Sequence, residues 1–216
     1  MVFKITDLKP QQRRKDRVSV FLDGEFAFGL QEATAVGLFV GQELTESQIE
    51  ALKQADSVEW AKQITYRLLS HRPRSTEEVR RHLRQKQVEE EIIDRVIDRL
   101  EELNLLDDVA FARYWVEQRE TFKPRSRRAL RYELTKKGLS RRDVEKAVAG
   151  VDERAAARRA GEQKASRWAH LSEEDFRAKL QGFLGRRGFS YAVIAEVAQQ
   201  LWQDLDGDGH LTETRT

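Results

Sequence analysis

The sequence predicts a mainly α-helical protein: three tandem three-helix repeats in an elongated curved array, preceded by a small extension that contains a β-hairpin. Three observations lead there. A leucine followed by a basic turn recurs as Leu83-Arg-Gln-Lys-Gln87, Leu134-Thr-Lys-Lys-Gly138 and Leu184-Gly-Arg-Arg-Gly188, the periodicity expected of a repeat protein. In that register the apolar positions match in threes: Val79, Leu130 and Leu180; Val88, Leu139 and Phe189; Ile93, Val144 and Ile194; Ile97, Val148 and Ala198; Leu100, Val151 and Leu201. An apolar residue every three or four positions makes one buried stripe per helix. Finally, 39% apolar against 35% charged residues suits a chain with much surface for its core rather than one thick globule.

The first 56 residues read differently. Val18–Leu22, Asp23-Gly24 and Glu25–Leu30 form a hairpin signature, because Asp-Gly accepts the positive φ of a type I′ turn. A two-residue turn pairs Phe21 with Phe26 and Val20 with Ala27, leaving apolar residues on both faces. Lys4–Leu8 is a third strand, and Gln11–Lys15 a polar connector. Gln31–Leu38 suits a short helix ended by Gly41. Thr45-Glu-Ser-Gln48 is a capping box opening a helix to about Ala55. An extension this small should dock on the helices C-terminal to it.

The repeats are expected at 57–106, 107–151 and 152–204, with an acidic disordered tail at 205–216. Their helices fall near 57–70, 75–86 and 89–104; 107–122, 126–137 and 140–150; then 153–169, 172–187 and 190–204. Ser75-Thr-Glu-Glu78 is a capping box, and Ser140, Ser172 and Ser190 stand where N-caps belong. Pro73 and Pro124 stop the preceding helices. Gly138 and Gly188 suit a left-handed helix end, whereas Gln87 should end its helix less sharply. Units of this size bury little surface alone, so neighbours should pack together and leave a concave face for a macromolecular partner.

Charge is uneven. Residues 107–151 hold twelve Lys and Arg against seven Asp and Glu, while the net charge of the whole chain is +2. A local excess of this kind favours a polyanion or an acidic protein groove, with a solvated helix face as the open alternative. No run of eighteen apolar residues and no signal core is present, so neither a membrane span nor secretion is indicated. With no cysteine there is no disulfide or thiolate chemistry. His71, His82, His170 and His210 have no metal-site spacing, and no nucleophile triad or phosphate-cradling Gly-rich loop occurs. A non-enzyme without cofactor is expected.

Leu106-Asp-Asp-Val-Ala-Phe-Ala-Arg-Tyr-Trp-Val-Glu-Gln-Arg119, then Pro124-Arg-Ser, then Leu134-Thr-Lys-Lys-Gly-Leu139 closely resemble the RecX family. Arg72-Pro-Arg-Ser75 with Val96–Leu103 is similar to the first repeat of that family. Val20–Phe28 and Gly41–Thr45 are similar to its N-terminal extension. The resemblance spans residues 4–204. It implies a modulator, mainly an inhibitor, of the RecA recombinase that lies in the groove of the RecA–single-stranded DNA filament. Growth, ATPase, strand exchange and coprotease activity would all be limited. A cytoplasmic monomer with no membrane partner is expected. A sequence-nonspecific DNA-binding protein acting without RecA is the alternative.

The binding candidates are Arg125, Arg127, Arg128, Arg131, Lys136, Lys137, Arg141 and Arg142 in the second repeat, with Arg177, Lys179, Arg186 and Arg187 in the third. On the helix 126–137, Leu130 and Leu134 point to the core, which puts Arg128 and Tyr132 on the far side. The arginines of the first repeat are diluted by Glu77, Glu78 and Glu89–Glu91. Trp60, Phe111, Trp115, Trp168 and Trp202 read as core, and only Tyr132 and Tyr191 as stacking candidates. Asp204, Asp206 and Asp208 begin a calcium-loop pattern, but the twelfth position is Arg215 instead of glutamate, so an acidic tail is favoured over a weak calcium site.

Overall fold

The computed structural model describes residues 1–12 and 15–207. They form two compact units, residues 1–106 and a second beginning at Asp107.

The first unit opens with four antiparallel strands, β1 (Val2–Pro10), β2 (Arg17–Leu22), β3 (Glu25–Gln31) and β4 (Glu43–Thr45), in the order β3-β2-β1-β4. Asp23 and Gly24 take positive φ in the hairpin turn, and Phe21 pairs with Phe26 as the turn dictates. Beyond that pair the register shifts: Val20 faces Phe28, not Ala27. The extra residue is a bulge, which adds local twist to the hairpin. The short β4, which the sequence pattern did not reveal, pairs with the start of β1.

One sheet face packs Ile5, Val20, Leu22, Leu30 and Leu44 against Ala35, Leu38, Ile49 and Leu52. The other carries an edge-to-face Phe21–Phe26 pair at 5.9 Å, and Phe26 stays 59% exposed. The apolar residues predicted on both faces call for cover on each; the structure covers one. The helix expected over Gln31–Leu38 is a single turn, α1 (Glu32–Ala35).

The helices expected on either side of Ala55 are one continuous helix, α2 (Glu46–Leu69), opened by the Thr45 capping box. Its first half lends Ile49 and Leu52 to the sheet core. Its second half lends Val58, Trp60, Ala61, Ile64, Leu68 and Leu69 to the core of the first repeat. Between the halves, Asp56 accepts hydrogen bonds from Gln31 N–H and from Arg17 at 3.1 Å, pinning the helix to β2 and β3. That repeat is completed by α3 (Thr76–Gln85) and α4 (Glu90–Glu102).

The second unit contains α5 (Asp108–Phe122), α6 (Arg127–Lys136) and α7 (Arg141–Val148), then α8 (Glu153–Trp168), α9 (Glu173–Gly185) and α10 (Tyr191–Gly207). The last helix runs three residues past its expected end. The matched apolar triples, together with Leu83, Leu134 and Leu184, are all 9% exposed or less. They build a separate core in each repeat. In the third, small residues on α8 bring α10 close: a Cβ at Gly161 would stand 2.6 Å from Leu201 Cδ1.

The three turns after α3, α6 and α9 close identically. Val88, Leu139 and Phe189 N–H groups reach back to the carbonyls of Leu83, Leu134 and Leu184. Gln87, Gly138 and Gly188 take φ of 60, 85 and 90°. The expectation of a less sharp end at Gln87 therefore fails. The turn forces left-handed backbone on glutamine, a conformation that costs a residue with a Cβ about 1–2 kcal/mol.

Candidate functional site

The start of α6 is built by Pro124–Ser126. Ser126 is fully buried, and its Oγ accepts the Ala129 N–H at 3.1 Å. The turn after α9 docks on it: Arg187 Nη1 donates to Pro124 O at 3.0 Å, and Ser126 N–H donates to Arg187 O at 3.2 Å. Glu153, at the start of α8, accepts the Arg127 N–H at 2.8 Å. A carboxylate there satisfies one of the free N–H groups of a helix N-terminus. The second and third repeats thus meet here through polar contacts, while their cores stay apart.

This junction brings Arg127, Arg128 and Arg131 to one groove of about 360 Å³, closed by Glu153, Gly188 and Ser190. Arg128 is exposed and has no ion-pair partner among the described residues; Arg131 is half-buried and held by both oxygens of Glu145. Such a partly exposed pair is weak and can yield to another anion.

Other candidates are engaged inward. Arg125 and Arg119 converge on Glu133, at 3.1 and 2.7 Å, and Trp115 Nε1 donates to the same carboxylate at 2.8 Å. Arg187 lies over the Phe183 ring; burial first, and then the Arg125 charge, lower its pKa from the ordinary arginine value. Lys137 sits 4.0 Å from the centre of the Trp115 ring, and Lys136 lies over Tyr132 at 4.9 Å. Arg177 pairs with Glu173 one turn away. Arg141, Arg142, Lys179 and Arg186 are exposed and, among the described residues, unpaired.

The first repeat differs. Arg72, Arg80, Arg81 and Arg84 pair with Glu78, Asp94, Glu77 and Glu90. Its cationic surface is largely neutralised. The acidic partners of Arg80 and Arg84, Asp94 and Glu90, come from α4, so the pairing was not readable from spacing within one helix.

Phe111 is buried, and Trp60, Trp115, Trp168 and Trp202 pack on the cores. Tyr132 and Tyr191 remain 61% and 71% exposed. Asp204 pairs with Arg158 at 3.0 Å, and Asp206 is exposed. Asp208 and the rest of the calcium-loop pattern lie outside the described residues. Among the described residues no group of acidic or histidine side chains is arranged for a metal, and no helix is long and apolar enough to cross a membrane.

Four family models cover most of the chain: the RecX N-terminal domain at residues 3–45, and the first, second and third RecX three-helix domains at 61–100, 107–148 and 152–198. A regulatory protein RecX of Listeria welshimeri is 32% identical over 67% of this chain; that match spans 55% of the relative's length. One of Clostridium botulinum is 28% identical over 91% of this chain and 95% of its own. The crystal structure of a regulatory protein RecX matches with a TM-score of 0.66 at 26% identity, covering 91% of this chain and 99% of that one. RecX from Lactobacillus salivarius matches with 0.58 at 25% identity, over 68% and 97%. The repeat register, the shared turn geometry and these matches agree: the chain belongs to the RecX family of regulatory proteins.

Proposed function

We propose that the protein is a non-enzymatic modulator, mainly an inhibitor, of the RecA recombinase. It binds in the groove of the RecA–single-stranded DNA filament and limits filament growth, ATPase, strand exchange and coprotease activity. One observation carries the reading beyond family membership. Six arginines of the first repeat, Arg72, Arg80, Arg81, Arg84, Arg95 and Arg99, are held in ion pairs, whereas Arg128, Arg141, Arg142, Lys179 and Arg186 of the next two are exposed and, among the described residues, unpaired. Unpaired surface cations are available to the phosphates or acidic side chains of a nucleoprotein filament. The other candidates are engaged by neighbours: Arg125, Arg131 and Arg177 by carboxylates, Arg187 by the Pro124 carbonyl, and Lys136 and Lys137 over aromatic rings.

The test is the DNA-dependent ATPase of RecA with substoichiometric protein added. Inhibition is expected, and reversal of charge at Arg128 and Arg131 together should weaken it by about tenfold or more. Unchanged ATPase and strand exchange in the presence of the unaltered protein would overturn the reading. The same free cations also suit action on DNA without RecA. Tight, steeply salt-dependent binding to bare duplex, with no added effect of RecA, would favour that second reading.

A further inference from the structure

The three repeats share a register, and one site in it is filled differently in each. In the second repeat Glu133 stands immediately before Leu134. Its carboxylate meets Trp115 Nε1 at 2.8 Å, Arg119 at 2.7 Å and Arg125 at 3.1 Å, with Lys137 over the Trp115 ring. In the third, Phe183 stands immediately before Leu184, edge-on to Trp168 at 6.1 Å and under the charges of Lys164 and Arg187. In both repeats the chain fills the site with its own side chains.

The first repeat breaks this pattern. Aligned on Leu83 and Pro73, it places His82 at the Glu133 position, Lys86 at that of Lys137, Ile64 at that of Trp115 and Leu68 at that of Arg119. Burial supports the alignment, since Ala61 and Thr65 are buried like their counterparts Ala112 and Val116. The exchange removes both the carboxylate and the indole. A cavity of about 300 Å³ lies there, lined by Ile64, Arg67, Leu68, His71, His82 and Lys86. That volume is at the lower end for a small-ligand site. No acidic side chain lines it, and none of its four basic residues takes an ion pair among the described residues. Burial, then the charges of Lys86 and Arg74, lower the His82 pKa, so positive potential converges on this cavity.

Basic side chains with no carboxylate among them favour an anion. The Ile64 and Leu68 walls select one with an apolar body, because a bare phosphate loses water against them without compensation. Isoleucine in place of the indole leaves ring-sized room, and Lys86, the counterpart of Lys137, stands where a cation lies over a ring in the second repeat. We propose that this cavity of the first repeat binds a carboxylate carried on an aromatic body, supplied by a free arylalkyl acid or by the C-terminal residue of a polypeptide. The ligand brings from outside what Glu133 and Trp115 bring in the second repeat. The site belongs to the first unit and does not rest on the filament reading.

The experiment is isothermal titration of the full-length protein, without RecA, with indole-3-propionate. One saturable site with a Kd of about 1 mM or tighter is expected. The neutral indole-3-propionamide should bind about tenfold or more weakly, having lost the charge-assisted hydrogen bonds. His82→Glu installs the carboxylate of the second repeat and should weaken binding by about tenfold or more. Lys86→Ala, at an exposed side chain that bears no part of a core, should weaken it by about threefold or more. It keeps the test decisive if His82→Glu fails to fold. Arg84→Ala, on the same helix but paired with Glu90 outside the cavity, should stay within about twofold. No saturable heat at about 10 mM acid overturns the site, as does equal affinity for the amide or unaltered affinity in Lys86→Ala. Inorganic phosphate displacing the acid at equal concentration would show a plain anion site and also overturn it. A short peptide ending in tryptophan separates the two sources. Binding that is lost on C-terminal amidation supports a chain end, and binding of the free acid alone supports a small arylalkyl acid. RecA inhibition is a separate readout, so either reading can fail without the other.

Discussion

At Gln87, Gly138 and Gly188 one backbone conformation is imposed on two residue types. The Schellman-type turn demands a left-handed residue there, and only glycine adopts it without Cβ strain. Gln87→Gly should therefore stabilise the first unit by about 1 kcal/mol in urea unfolding. Gly188→Ala should destabilise by more than that strain alone, because its Cβ would lie 2.6 Å from Ser126 Oγ and 2.9 Å from Ala129 Cβ, loosening the start of α6. His82 provides a second residue-scale test. Burial, then the charges of Lys86 and Arg74, hold its pKa below 6.5. A depressed histidine favours the neutral form in the fold, so its contribution is present above the ordinary value and is lost as pH falls through the lowered one. The drop in urea midpoint between about pH 7.5 and 5.5 should be smaller in His82→Gln than in the unaltered protein.

Among the elements, α2 and α6 do the joining. Low regular amphipathicity hid α2, because its apolar stripe serves the sheet up to Leu52 and the first repeat from Val58 onward. A single periodic pattern cannot describe a helix with two cores, and the sequence consequently reads as two short helices. The shorter α6 is tied to α5 by Glu133, which accepts from Trp115 and pairs with Arg119 and Arg125. Removing that carboxylate leaves three donors short of a partner. Glu133→Ala should cost about 2 kcal/mol in denaturant unfolding, with a change in tryptophan emission, and Glu133→Gln less because it can still accept from Trp115. Spacing along one helix could not reveal this hub, since its donors lie on α5 and in the loop before α6.

For the whole molecule, the distribution of satisfied charge matters more than its sum. Net charge is nearly balanced, yet most arginines of the first repeat are bound internally while several in the other two are left free among the described residues. This difference gives the filament reading an internal control. Arg84→Glu, at a side chain already paired with Glu90, should change RecA ATPase inhibition by no more than about twofold, whereas reversal at the exposed Arg128 and Arg142, unpaired among the described residues, weakens it strongly. Equal losses at both places would mean that total charge, rather than the free cations of the second unit, governs binding.

The repeat register, the positions of the cores, the caps and the hairpin turn were legible in the amino-acid sequence alone, because each depends on a local preference or on a period along one helix. Family membership was legible too, from motifs such as Leu134-Thr-Lys-Lys-Gly138. The continuity of α2, the one-residue bulge beside Val20 and the sorting of arginines into paired and free were decided by tertiary structure. Their cause is the same in each case: the partner that determines the outcome comes from another element. Asp56 meets Gln31 and Arg17 only when helix and sheet pack, and Glu145 on α7 holds Arg131 only when α6 and α7 pack, while Arg128 has no such partner among the described residues.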